Sequence, residues 1–72
     1  MKFDAILVVN ILTEIEMGKS LRGQIFEDKK SRFPDDTQVV TSSVQGLTLF
    51  DGDMFVRTAN TIYKIESGTP ND

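Results

Sequence analysis

"DAILVVNILTEIEM", residues 4–17, decides whether the chain opens with a helix or a strand. Ala5, Val8, Leu12 and Ile15 recur at helical spacing, with Val9 and Ile11 on the same side. Asp4 stands where an N-cap belongs, and Gly18 suits the position just after a helix end. The opposing signal is "AILVV", whose β-branched residues also suit a buried strand. The apolar pattern persists along the whole segment, so the spacing predicts a helix over residues 4–17. Phe3, Ile6 and Leu7 add a second apolar side, which implies cover on two faces.

The rest of the chain alternates. "LTLFDGDMFVRTANTIYKIE", residues 47–66, holds two tight turns, at Asp51-Gly52 and Ala59-Asn60. Asp-Gly favours a type I′ hairpin because both residues tolerate positive φ; Asn60 shares that tolerance and Ala59 does not. A two-residue loop at 51–52 sets Leu49 opposite Met54 and Leu47 opposite Val56. The same loop at 59–60 sets Val56 opposite Tyr63 and Met54 opposite Ile65. Both registers put these six residues on one face, and a slip of one residue destroys the agreement. Two earlier strands are expected at 21–26 ("LRGQIF") and 38–45 ("QVVTSSVQ"). The predicted fold is α+β: an N-terminal helix followed by an antiparallel sheet of four or five strands, or a small barrel, ending in a three-stranded meander. Residues 1–66 form its single domain and 67–72 a flexible tail.

Composition bounds the chemistry. With 72 residues and no cysteine or histidine, neither disulfides nor a Cys/His zinc site can staple the core. Packing must hold it, and a small chain often completes its core with a second copy, so a homo-oligomer is expected. No apolar run reaches the length of a membrane span. The N-terminal stretch lacks a signal peptide's pattern: Asp4 sits in the charged region and Asn10 breaks the apolar run. A cytoplasmic protein is expected. The net charge of −3 argues against general binding to duplex DNA or anionic lipid. Lys19, Arg22, Lys29, Lys30 and Arg32 nonetheless make one basic segment against only Glu27 and Asp28.

Several motifs dissolve on inspection. "MGKS", residues 17–20, resembles the end of a phosphate-binding loop, but the required upstream glycine is Thr13 and the surrounding elements are in the wrong order. Asp35–Asp36 and Asp51–Asp53 have no calcium-loop spacing, and aspartate is ordinary in turns after proline or beside glycine. No metal and no cofactor are expected. Without His or Cys there is no imidazole shuttle and no thiol nucleophile, and no Ser–Lys pair or carboxylate dyad is visibly assembled, so the chain reads as non-enzymatic.

A polar constellation survives. Arg22, Arg32, Thr41, Ser42, Ser43, Arg57, Thr58, Asn60 and Thr61 come from adjoining parts of the expected sheet. Guanidinium forks suit phosphate or carboxylate, and hydroxyls add short-range donors. Arg57 points away from Met54 and Val56, toward the face carrying Phe50, Phe55 and Ile62. A cation beside aromatics can hold a nucleobase with its phosphate. The same apolar residues equally suit packing under the helix, or an interface with a partner protein.

"RFPDDTQVVTSSV" and the later "VRTANTIYKIE" resemble small uncharacterised accessory proteins of tailed bacteriophages. The shared pattern is an Arg-Phe-Pro-Asp-Gly-Thr turn, a Thr-Ser strand end and a hairpin reading Arg-Thr-x-Asn-Ser-x-Tyr, within residues 22–66. This chain has Asp36 where the pattern has glycine, and Thr61 where it has serine. The resemblance implies an anti-defence protein acting by binding. Three mechanisms follow. The chain docks on a host or defence protein through Phe50, Phe55 and Ile62 or through the acidic turns, which is the leading expectation. Alternatively it sequesters an anionic cyclic nucleotide through Arg22, Arg32, Thr41, Ser42, Ser43, Arg57, Thr58 and Asn60. Lastly it serves as a structural or DNA-associated phage component.

Overall fold

The computed structural model describes residues 1–10 and 15–68. They form one six-stranded sheet: β1 (Ala5–Val9), β2 (Arg22–Phe26), β3 (Thr37–Val40), β4 (Gly46–Phe50), β5 (Asp53–Arg57) and β6 (Ile62–Ser67). The strand order is β3-β2-β1-β6-β5-β4. Two antiparallel meanders, β1–β2–β3 and β4–β5–β6, meet where β1 runs parallel to β6.

This overturns the α+β expectation. Among the described residues there is no helix, and the sheet is mixed rather than wholly antiparallel. "AILVV" is a central strand whose side chains alternate between buried and half-buried. The Asp4 carboxylate does not cap a helix. Its Oδ2 accepts a hydrogen bond from the Ile62 N–H at 2.9 Å, while the Asp4 N–H donates to the Ile62 carbonyl at 2.7 Å. These bonds fasten the start of β1 to the start of β6. Gly18, with φ of 85°, lies in a turn and donates its N–H to the Val44 carbonyl. The second half of the expected helix includes residues 11–14, which lie outside the described residues.

The C-terminal meander has the expected register. Leu49 pairs with Met54, Leu47 with Val56, Val56 with Tyr63 and Met54 with Ile65. Asp51 and Gly52 take φ of 54° and 85°, the two positive values of a type I′ turn. The expected strand at 38–45 ends instead at Val40. Ser67 belongs to β6, and residues 69–72 of the expected tail lie outside the described residues.

The core lies on one face of the curled sheet. Ala5, Leu7, Val9, Ile25, Val39, Val56, Tyr63 and Ile65 are buried there, closed over by Leu21 and Val44. Pairing arranges them in rows: Leu7, Ile65, Met54 and Leu49 form one, and Ala5, Tyr63, Val56 and Leu47 another. Gly23 meets the β1 backbone so closely that a Cβ would sit 2.2 Å from the Val8 carbonyl oxygen. On the opposite face Phe55 is covered by Phe3, their ring centroids 6.1 Å apart.

Candidate functional site

The long connection between β2 and β3 is organised by one carboxylate. Asp28, whose side chain has no exposed surface, accepts from the backbone N–H of Lys30 at 3.1 Å and of Arg32 at 2.9 Å. Its two oxygens also take the Arg32 Nε and Nη2 donors, at 3.0 and 3.1 Å. This fork holds the Asp28 carboxyl below its ordinary pKa, with the Arg32 side-chain bond as the main cause, against the cost of burial. Arg32 is correspondingly raised above its usual value, Asp28 first and burial opposing.

Fixed in this way, the guanidinium turns its Nη1 toward the β5–β6 turn. Arg32 Nη1 donates to Thr61 Oγ1 at 3.1 Å. Lys30 Nζ reaches the same oxygen at 3.3 Å and also donates to the Asn60 carbonyl. Two cations thus converge on the β5–β6 turn from a loop some thirty residues earlier in the chain. The Arg32 guanidinium carbon lies 5.7 Å from the centroid of the Phe33 ring, which is itself 41% exposed.

Beside this pair opens a cleft of about 290 Å³, lined by Arg32, Phe33 and Tyr63, by Val39 to Ser42, and by Thr58 to Thr61. Its hydroxyls have different duties. Thr41 Oγ1 accepts from the Leu21 N–H and donates to the Ser42 carbonyl, and Thr58 Oγ1 donates to the Thr61 carbonyl. Both side chains are buried and committed to the fold. Ser42 Oγ accepts from the Ala59 N–H, and Thr61 Oγ1 accepts from the two cations, so each keeps a proton to donate.

Of the eight residues expected to bind a ligand, Arg32, Thr41, Ser42, Thr58 and Asn60 line this cleft. Arg22 lines a separate cavity with Gln24 and Gln38, and Ser43 is exposed outside the cleft. Arg57 lies on the far face, within 3.4 Å of the Gln45 side-chain and main-chain oxygens. The expected docking set also separates: Phe55 is only 4% exposed, Ile62 is half-buried and Phe50 stands free at 52%. Sequence reasoning did not assign Lys30, Phe33 or Tyr63 to the site. "KKSRF", residues 29–33, carried the signal for the first two, a cationic run ending at an aromatic.

The chain is similar to an uncharacterised 12.8 kDa protein of Enterobacteria phage T4 from the cd-pseT intergenic region, 31% identical over 64 residues. The match covers 88% of this chain but 55% of the phage protein, so the chain spans about half the length of that relative. No family model matches the chain. No solved structure matches it either. The similarity supports a small phage protein of uncharacterised function. No helix among the described residues is long and apolar enough to cross a membrane.

Proposed function

We propose that the chain is a non-catalytic phage accessory protein whose Arg32 cleft sequesters a small anionic nucleotide, of the cyclic kind used as a host defence signal. One observation carries this reading. The Arg32 guanidinium, pre-oriented by Asp28, sits beside an exposed Phe33 ring at the mouth of a cleft lined by the Ser42 and Thr61 hydroxyls, with the Lys30 ammonium bonded to that same Thr61 hydroxyl. Lys30 and Arg32 suit a phosphate, and Phe33 offers a face on which a base can stack. The cleft is close to the lower end of the size range of small-ligand pockets. A sponge needs no acid–base machinery, which suits a chain without His or Cys.

Docking on a host protein, the leading expectation from sequence, has less support. Its residues do not form one surface, since Phe55 is buried and only Phe50 is fully presented.

Calorimetric titration of the purified protein with cyclic dinucleotides, and with linear dinucleotides of the same bases, tests the proposal. Saturable binding is expected, weakened at least tenfold by Phe33→Ala and by Lys30→Ala. Both side chains are exposed, so the melting temperature should hold. Absence of binding by every nucleotide tried, or binding indifferent to both substitutions, overturns it.

A further inference from the structure

The β4 edge presents an apolar, uncharged strand to solvent. Leu47, Leu49 and Phe50 are all exposed, Leu49 to 71%. Residues 45–50 contain no charge and no proline, the devices that usually protect an open sheet edge from pairing. The exposure is not a stray patch, because Leu47 and Leu49 are the last members of the two core rows that begin at Ala5 and Leu7. Among the described residues, the core therefore runs out to the edge of the sheet and no further strand covers it.

The strand is complementary to itself. In the two-residue hairpin at 51–52, Phe50 and Asp53 form the hydrogen-bonded closing pair, so the peptide groups of Leu47 and Leu49 face away from β5. An antiparallel copy centred on Thr48 satisfies all of them, with Leu47 opposite the partner's Leu49 and the converse. On the other face Phe50 falls opposite the partner's Gly46, and because the Arg57 guanidinium lies over Gly46, 3.3 Å from where a Cβ would stand, the ring meets a cation there. At the ends Asp51 meets the partner's Gln45, so no like charges oppose each other.

We infer that two copies pair through β4 in antiparallel fashion about a two-fold axis at Thr48, making one continuous twelve-stranded sheet. The two-fold contact is isologous and closes on itself, which fits a small discrete particle. Pairing of β4 with the other open edge, β3 of a second copy, leaves both ends unsatisfied and builds filaments instead. This inference is independent of the nucleotide cleft, which β4 does not line.

A single engineered cysteine tests it, since the chain has none of its own. Thr48 and its twin form a non-hydrogen-bonded pair, whose Cβ separation of about 4.5–5.5 Å lies near that of a disulfide. Thr48→Cys is expected to give almost complete covalent dimer under mild oxidation, and Gln38→Cys on β3 almost none. Leu49→Lys should convert a two-chain particle to a one-chain particle in native mass spectrometry, with its circular dichroism preserved. A one-chain wild type at micromolar concentration overturns the inference. So does a dimer that Leu49→Lys leaves intact, a crosslink at residue 38 in place of 48, or concentration-dependent growth beyond two chains.

Discussion

Asp28 grips Arg32 at both ends of the guanidinium, Oδ2 taking Nε at 3.0 Å and Oδ1 taking Nη2 at 3.1 Å. The same carboxylate fixes the backbone of residues 30 and 32, so one side chain sets both the loop and the direction of its cation. Because the folded Asp28 pKa lies below its ordinary value of 3.8, the pair contributes fully above that value. Its contribution is lost as the pH falls from about 3.8 through the depressed folded value. Asp28→Asn is expected to destabilise the protein by roughly 1–3 kcal/mol at neutral pH. It should also flatten the acid limb of a stability profile followed by urea unfolding. An unchanged acid limb would assign that limb to other carboxylates.

Asp36 takes φ of 69° as the third residue of the turn from Pro34 to Thr37, the position that glycine fills most easily in a type II turn. Asp36→Gly keeps the backbone bond from residue 36 to the Ile25 carbonyl and relieves the left-handed strain. A gain of about 0.5 kcal/mol is expected, the relief being partly offset by the extra freedom of glycine in the unfolded chain. Chemical denaturation of the two proteins side by side measures it.

Gly23 has the opposite requirement. Its φ is ordinary, but β1 passes so near that any side chain strikes the Val8 carbonyl oxygen. That oxygen belongs to the backbone of a central strand and cannot swing aside. Gly23→Ala should therefore cost about 3 kcal/mol or more, well beyond the loss expected of alanine at an exposed strand position. A midpoint shift of that size in urea checks it; a near-neutral outcome would mean that β1 and β2 separate easily.

The contrast between local and distant signals explains what the sequence reveals. The hairpin at Asp51-Gly52 is written in two adjacent residues, and the agreement of two registers then carries the meander from Leu47 to Ile65. The parallel union of β1 with β6 joins Ala5 to Tyr63, and no neighbour of either announces it. Apolar residues at 5, 8, 12 and 15 fit a helix by spacing, whereas burial alternates along Ala5–Val9 because one face of this central strand meets the core and the other is only partly covered. The candidate site divides similarly. Arg32 and Ser42 are recognisable as donors, but the convergence of Lys30 and Arg32 on Thr61 depends on the Asp28 fork. Nothing in the local pattern of residues 28–32 points to position 61.

Two phenylalanines on one side of the sheet should respond in opposite ways. Phe55 is buried beneath Phe3, while Phe50, on the same face at the β4 edge, is half open to solvent. Phe55→Ala removes a packed ring and is expected to cost about 3–5 kcal/mol. Phe3→Ala, which uncovers Phe55 and takes away the ring under the Lys29 ammonium at 4.1 Å, should cost less, roughly 1–2 kcal/mol. Phe50→Ser should barely alter the stability of a single chain but should weaken pairing through β4, making the unfolding midpoint less dependent on protein concentration. Melting curves of the three variants across a hundredfold range of concentration separate these effects. A large loss at Phe50 in dilute protein would place that ring in the monomer's own packing.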